Sequence, residues 1–509
     1  MATTFTVKRY KAARRACAPF VAIETPDAPA TIDALRAGLN GVTPTLQWDV
    51  VRGLIALNDS GQSAIGAAQI DLAATVNPVE MLAGIVKLPA VSVVFMLNAH
   101  RFLADVAVVQ AIQNLRDIYK SDRRTLTLIG TSFSLPAELA SDVVILSEPL
   151  PTRDELGAVL DAQYANLKRE VPTAPDLTPD ERAAALDAVV GLAAFPGENA
   201  IAMSLSARGL ATADLWEHKI KGIESTEGLH VYKPSADDTT LDELAGLDNV
   251  VEFFRDLIAV KAFGAIVFID EGDKAFAGAM SDHTGDSGVA KDQAGQVLTY
   301  MEDHKAIGVL LAGLAGCGKT QLVKAIGAAS GKPVLIFDLG GMKAGHVGES
   351  ERAIRAALKV VTATAEGRTL FVMTCNKSVL FTPELNRRFS DQFFFDAMSA
   401  DARRACWQTY ARKCGLSPEQ ASVPAGMDDG WTGAEIKRAC ERAALHRKTV
   451  VDAARYIVPS AVSGAKQNAE LRQQAEGRFL SASDPGWYRA PKQAAPAALP
   501  ASARSYDVG

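Results

Sequence analysis

With 509 residues the chain is too long for one hydrophobic core, so roughly two to four domains are expected. Its 48% hydrophobic and 22% charged content fits ordinary soluble globular domains, and a net charge of −6 argues against sequence-blind nucleic-acid binding through a basic surface, though not against a local basic pore. No apolar run reaches the ~18–20 residues of a membrane span, the first residues lack the apolar stretch of a secretion signal, and Cys17, Cys317, Cys375, Cys406, Cys414 and Cys440 show no paired or metal-like spacing. A reducing, cytoplasmic setting is the expectation.

The first half alternates strands and helices. Phe20–Ile23 reads as a strand, and a helix starts near Thr31. Val91–Leu97 is a continuous apolar run, as a strand buried on both faces should be. A helix is predicted over Asp105–Tyr119, then strands at Thr125–Ile129 and Asp142–Leu146. This is the βαβ rhythm of a doubly wound α/β sheet. From Thr152 to about Glu224 the pattern is wholly helical, with the start signal Thr178-Pro179-Asp180-Glu181. The polar stretch Lys233–Thr240 marks a domain boundary.

The same order then returns, strands and helices to about Asp396 and helices to about Val450. The fold expectation is therefore α/β, a tandem of two modules, each a parallel sheet with helices on both faces plus a helical lid. The boundaries are 1–235 for the first module (lid about 152–230), 236–396 and 397–455 for the second sheet and lid, and 456–509 for an extension. Its Ala/Pro/Ser-rich end from about Pro491 reads as disordered.

Gly313-Leu314-Ala315-Gly316-Cys317-Gly318-Lys319-Thr320 fits G-x-x-x-x-G-K-[S/T], with an apolar strand before it and a helical Gln321–Ile326 after it. In that context the glycines let backbone N–H groups wrap a phosphate at a helix N-terminus. Lys319 would reach the β- and γ-phosphates of ATP, and Thr320 would hold Mg2+. A second strand, Ala265–Ile269, ends in Asp270-Glu271. There Asp270 would hold Mg2+, mostly through water, and Glu271 would polarise the attacking water. The acidic strand comes before the phosphate loop, the reverse of the usual order.

The string Asp270-Glu271-Gly272-Asp273-Lys274-Ala275-Phe276 resembles the D-E-x-D-K-x-F form of the AAA clade of P-loop ATPases. Other pieces resemble that clade in its own order. Leu370–Asn376 resembles a strand ending in a sensor amide at Asn376, and Pro383–Phe389 the arginine-finger segment, with Arg387 and Arg388 both open as the finger. Lys343, His346 and Val347 fall in a segment similar to the first pore loop, without its usual aromatic grip. Gly433 and Ala434 fall in the lid motif, and Leu247 and Asp248 in the segment that contacts adenine. The whole chain resembles the AAA proteins first noted as a hypothetical chloroplast reading frame and found in plastids and cyanobacteria, which carry a degenerate domain before an active one. Matches include Gly348–Glu351 and Gly477–Ser483.

The resemblance implies a sheet order 5-1-4-3-2, with the phosphate loop after strand 1, the acidic pair on strand 3 and the sensor on strand 4. Here strand 3 and its helix would precede strand 1. The new crossovers run in the same direction across the sheet as those they replace, so right-handed connections keep every helix on its face. Lys319, Asn376 and Glu271 can still converge. The first module is expected to be silent. Its strand Phe20–Ile23 leads into Glu24-Thr25-Pro26-Asp27-Ala28-Pro29, with no glycine-rich loop, and Leu97 and Asn98 stand where the acidic pair would be. The resemblance implies an Mg2+-dependent ATPase that assembles with itself into a hexameric ring and remodels or threads a protein. The rival expectations are a nucleic-acid-linked loader and a nucleotide-gated scaffold with little turnover.

Overall fold

The computed structural model describes residues 4–235, 238–274, 287–344, 349–376 and 383–491. The chain forms two compact units, Met1–Ser225 with Thr362–Glu366, and Thr226–Val361 with Gly367–Gly509.

The first unit is built on a six-stranded sheet of β1 (Phe20–Glu24), β2 (Thr45–Asp49), β3 (Gly53–Ala56), β4 (Val93–Met96), β5 (Thr125–Gly130) and β6 (Val143–Ser147). Its order is β3-β2-β4-β5-β1-β6, parallel except for the β2–β3 hairpin. β4 and β5 are buried along their whole length, which is why they carry unbroken apolar or β-branched runs rather than alternation. Helices Ala28–Ala37 and Val106–Ser121 follow β1 and precede β5. The β2–β3 hairpin is not marked in the sequence by its second strand, because Gly53-Leu54-Ile55-Ala56 is only four residues long and starts at a glycine.

Beyond β6 come helices Arg153–Glu170, Pro179–Val189, Ala194–Ser204 and Thr212–Glu224. The start signal at Thr178 is a capping box, the Thr178 hydroxyl meeting the Glu181 N–H while the Glu181 carboxylate accepts from the Thr178 N–H. This region is not wholly helical. A two-residue hairpin, β7 (Leu205–Ser206) and β8 (Gly209–Leu210), closes around Gly209, whose φ of +101° suits glycine.

The second unit begins ahead of the expected polar boundary, because β9 (Leu229–Val231) joins its sheet. Its other strands are β10 (Ala265–Ile269), β11 (Ile307–Gly313), β12 (Val334–Phe337), β13 (Thr369–Cys375), β14 (Asp391–Phe395) and β15 (Leu480–Ser481). The order is β15-β14-β11-β13-β10-β12-β9. All pairings are parallel except β9 with β12. One core lies on a single face of this sheet, where alternate residues Ile266 and Phe268, Val309 and Leu311, Leu370 and Val372, and Phe393 and Phe395 pack against Phe254, Leu322 and Ile326. Helix Ser287–Asp303 connects β10 to β11, and helix Glu349–Thr364 connects β12 to β13. The lid consists of helices Ala400–Lys413, Gly433–His446 and Val450–Ala454, with its own core around Trp407, Trp431 and Ile436. The extension continues as an ordered helix, Ala465–Ala475, and β15. Residues 492–509, where disorder was expected, lie outside the described residues.

Candidate nucleotide site

The second unit holds a cleft of about 460 Å3 between the C-terminal ends of β10, β11 and β13 and the lid. That volume lies within the range of small-molecule sites, and strand C-terminal ends are where parallel sheets bind ligands. Leu247, Asp270, Glu271, Ala315, Gly316, Cys317, Gly318, Lys319, Thr320, Gln321, Asn376, Gly433 and Ala434 all line it. Gly313 ends β11 just below. Asp248 begins the helix Asp248–Ala259 and is not part of the lining.

The phosphate loop has the shape its glycines allow. Gly313, Gly316 and Gly318 have φ of +143°, +81° and +93°. A Cβ on Gly313 would lie 2.1 Å from the Phe395 carbonyl oxygen, and one on Gly316 would lie 2.9 Å from the Thr432 hydroxyl. The loop opens into helix Lys319–Ser330. The lid touches it directly, since the Ala434 N–H donates to the Gly316 carbonyl at 3.2 Å. Lys319 is buried, and its ammonium donates to the carbonyls of Gly313 and Leu314 at 2.9 and 2.7 Å. Burial pushes its pKa below the ordinary lysine value. Burial likewise pushes the Cys317 thiol up to about 12, so Cys317 is a protonated, inert packing residue.

β13 separates β11 from β10 and joins their chemistry. The Thr374 hydroxyl donates to Asp270 Oδ1 at 2.5 Å and accepts the Glu271 N–H at 2.9 Å. Thr320 Oγ1 lies 3.5 Å from the same Asp270 oxygen. The residue carrying the phosphate-loop hydroxyl and the residue expected to share its metal are thus neighbours, although β10 precedes β11 in the chain. Glu271 sits at φ +49°, in the left-handed region. Its carboxylate pairs with Lys274 at 2.5 Å, which raises the Lys274 pKa. Asn376 follows the end of β13, its N–H donating to the buried Asp273 at 3.3 Å. Its side-chain Oδ1 is buried with no partner among the described residues, a polar group for which a ligand in the cleft would supply one.

These residues fit Mg2+ and a nucleotide. Thr320 and Asp270 offer hard oxygen ligands, and Mg2+ commonly takes few protein ligands and completes its shell with phosphate and water. Among the described residues no cluster of His, Cys, Asp and Glu could hold a metal without such help.

Other expected residues are not brought to the cleft. Arg387 is exposed and Arg388 is tied to Glu302 by an ion pair, and neither lines the cavity of its own chain. Lys343 belongs to the short turn Gly341–Ala344, and its side chain lies outside the described residues, as do His346, Val347 and Phe276. Several lining residues went unread in the sequence, including Thr239, Thr374, Tyr410, Lys437, Arg438 and Glu441. For Thr374 a signal existed, since it precedes Asn376 by two residues on the strand end and so shares its face. Tyr410 and Thr239 carried none, because a hydrogen bond between distant segments joins them.

In the first unit the corresponding place is filled by its own side chains. β1 leads through Thr25-Pro26-Asp27 into helix Ala28–Ala37, whose Ala30 N–H is capped by Asp27. The buried Glu148 carboxylate accepts from the Thr31 hydroxyl in the first turn at 2.6 Å, and Thr31 also meets Thr25. Carboxylates thus occupy a helix N-terminus that could otherwise attract phosphate.

Residues 7–147 match a model described as the SpoVK-like AAA ATPase, N-terminal domain. Residues 309–392 match the ATPase family associated with various cellular activities (AAA), a match that begins beyond Asp270 and Glu271. The uncharacterized AAA domain-containing protein ycf46 of Gracilaria tenuistipitata var. liui is 23% identical over 71% of this chain and 76% of its own. The ycf46 protein of Guillardia theta is 21% identical over 76% of this chain, which spans 66% of that relative. Among solved structures, the FIGL-1 AAA domain in complex with ADP is similar at 15% identity over 49% of this chain and 94% of that one, with a TM-score of 0.30. The chain resembles the AAA+ ATPases, and among them the ycf46 AAA domain-containing proteins.

Proposed function

We propose that the second unit binds Mg2+-ATP in the 460 Å3 cleft and hydrolyses it. The observation that carries this reading is the meeting of Thr320 and Asp270, 3.5 Å apart, beneath the phosphate loop. Lys319 and the loop's N–H groups bind the phosphates, and Thr320 and Asp270 would hold Mg2+, which would supply neutralisation of the charge on the phosphoryl group. Glu271 accepts the proton of the attacking water, and Asn376 orients that water. For this, Glu271 must turn from Lys274 toward the cleft. Leu247, Gly433 and Ala434 flank the base and ribose, and the lid excludes water.

The chain acts in a homo-oligomeric ring, a hexamer in this reading, in which Arg387 reaches a neighbour's nucleotide while Arg388 stays with its own Glu302. Such an arginine is worth about 10³–10⁵ in rate in other P-loop enzymes. The ring remodels a protein substrate. The net charge of −6 disfavours a nucleic-acid partner. Among the described residues no helix is long and apolar enough to cross a membrane.

A second reading, a nucleotide-gated scaffold with little turnover, is favoured by the resting pair of Glu271 with Lys274. Phosphate release from ATP by the full chain decides between them. Turnover that EDTA removes and Mg2+ restores is expected. Stoichiometric ATP binding with no release would favour the scaffold.

A further inference from the structure

The helix Asp248–Ala259 begins beside the cleft, yet no side chain caps its N-terminus. Helix starts leave N–H groups that need partners. Here the partners come from far along the chain. The Val250 N–H donates to the Ala482 carbonyl at 3.1 Å and the Asn249 N–H to the Ser483 carbonyl at 3.3 Å. The Asn249 side-chain amide donates to the Ser481 carbonyl at 2.6 Å, and the Ser483 hydroxyl donates to the Gly246 carbonyl at 2.7 Å.

The same C-terminal strand is fixed on its other side. β15 pairs with β14, and the Ala482 N–H donates to the Phe394 carbonyl at 3.1 Å. The next carbonyl, of Phe395, accepts from the Leu314 N–H of the phosphate loop at 3.0 Å. Behind the strand, Arg472 and Tyr488 both bind Asp396 at the end of β14. Gly246–Val250 is thereby referenced to the phosphate loop through β15 and β14. Leu247 sits in that segment. It lines the cleft and lies beside Gly318, where an added Cβ would be 3.4 Å from Leu247 Cδ1.

We propose that the C-terminal segment Leu480–Ser483 is a positioning part of the nucleotide site, setting Leu247 for the base and ribose through Asn249 and Ser483. This rests on the nucleotide reading given above. It distinguishes two halves of the ligand. The phosphates are held by the loop and helix Lys319–Ser330, which do not need this clasp. The base and ribose meet the segment that it holds.

The test compares binding of Mg2+-ATP with binding of inorganic tripolyphosphate, which presents only the phosphates, using full-length protein with melting temperature recorded. Asn249→Ala should weaken ATP about five- to tenfold, as loss of a well-placed hydrogen bond would, while tripolyphosphate changes less than about twofold. Ser483→Ala, the milder variant, should show the same selectivity with a smaller shift. Unchanged ATP affinity in both variants overturns the proposal, and so does equal weakening of the two ligands. Wild-type protein that binds neither ligand overturns the nucleotide reading itself. Wild-type protein that binds both, with Asn249→Ala neutral, overturns this proposal alone.

Discussion

The sheet of the first unit reads β6-β1-β5-β4-β2-β3, and that of the second reads β14-β11-β13-β10-β12-β9, with β15 added outside β14. Place by place the two agree, down to the antiparallel strand at the far edge. The chain visits those places differently. In the first unit β4 follows β1 and β2, whereas in the second its counterpart β10 precedes β11 and β12. The turn after each is nonetheless alike. Asn98 after β4 has φ +52° and Glu271 after β10 has φ +49°. A site at strand ends needs particular strands to be adjacent, and adjacency survives a change of chain order when the crossovers keep their direction. What separates the units is side-chain chemistry at the same places. One has a glycine loop, a lysine and an acidic pair. The other has Pro26, a buried Glu148, and Leu97 with Asn98.

Lys319→Ala should break the difference most severely. Without its ammonium, phosphate binding should fall by about 10²–10³-fold, the scale of truncating one partner of a buried charge pair, and nucleotide binding by the full chain should fall by the same factor, since the first unit has no substitute. ATP bound at one equivalent in that variant, measured by equilibrium dialysis, would mean that the first unit is a nucleotide site after all. Thr374→Val is a smaller probe of the joint that β13 makes. It removes the hydroxyl shared by Asp270 and the Glu271 N–H, and kcat should drop about tenfold with little change in KM. An unchanged kcat would show that Asp270 and Glu271 hold their places without β13. Glu148→Ala probes the filled site of the first unit. It should lower stability by about 1 kcal/mol, through loss of the Thr31–Glu148 hydrogen bond, since the Thr31 hydroxyl keeps the Asp27 carbonyl and Thr25 as partners, while leaving turnover within about twofold. Restored nucleotide binding to a Lys319→Ala, Glu148→Ala double variant would show that the carboxylate alone keeps nucleotide out.

The parallel strands and the phosphate loop were legible because their signals are local. Val93–Met96 and Ala265–Ile269 are unbroken apolar runs, and Gly313–Thr320 is contiguous. The place of β10 beside β13 in the sheet could be anticipated because the order of Asp270 and Lys319 is a fact of sequence, and handedness limits how a sheet can accommodate it. The clasp of Leu480–Ser483 on Gly246–Val250 was not legible. Its bonds are made by backbone carbonyls and two small polar side chains across the whole second unit, and neither composition nor periodicity marks them. β3 and the early start of the second unit at β9 were hidden likewise, since each is an edge strand with one neighbour and needs no strong pattern.

The central claim is that Glu271, on a strand placed before the phosphate loop in the chain, serves the nucleotide held by Lys319 and Thr320. Glu271→Gln tests it most directly, with ATP binding and phosphate release measured on the same full-length protein. Binding within about threefold of wild type, with turnover reduced by about 10²-fold or more, is the predicted result. Equal turnover in wild type and Glu271→Gln would contradict it.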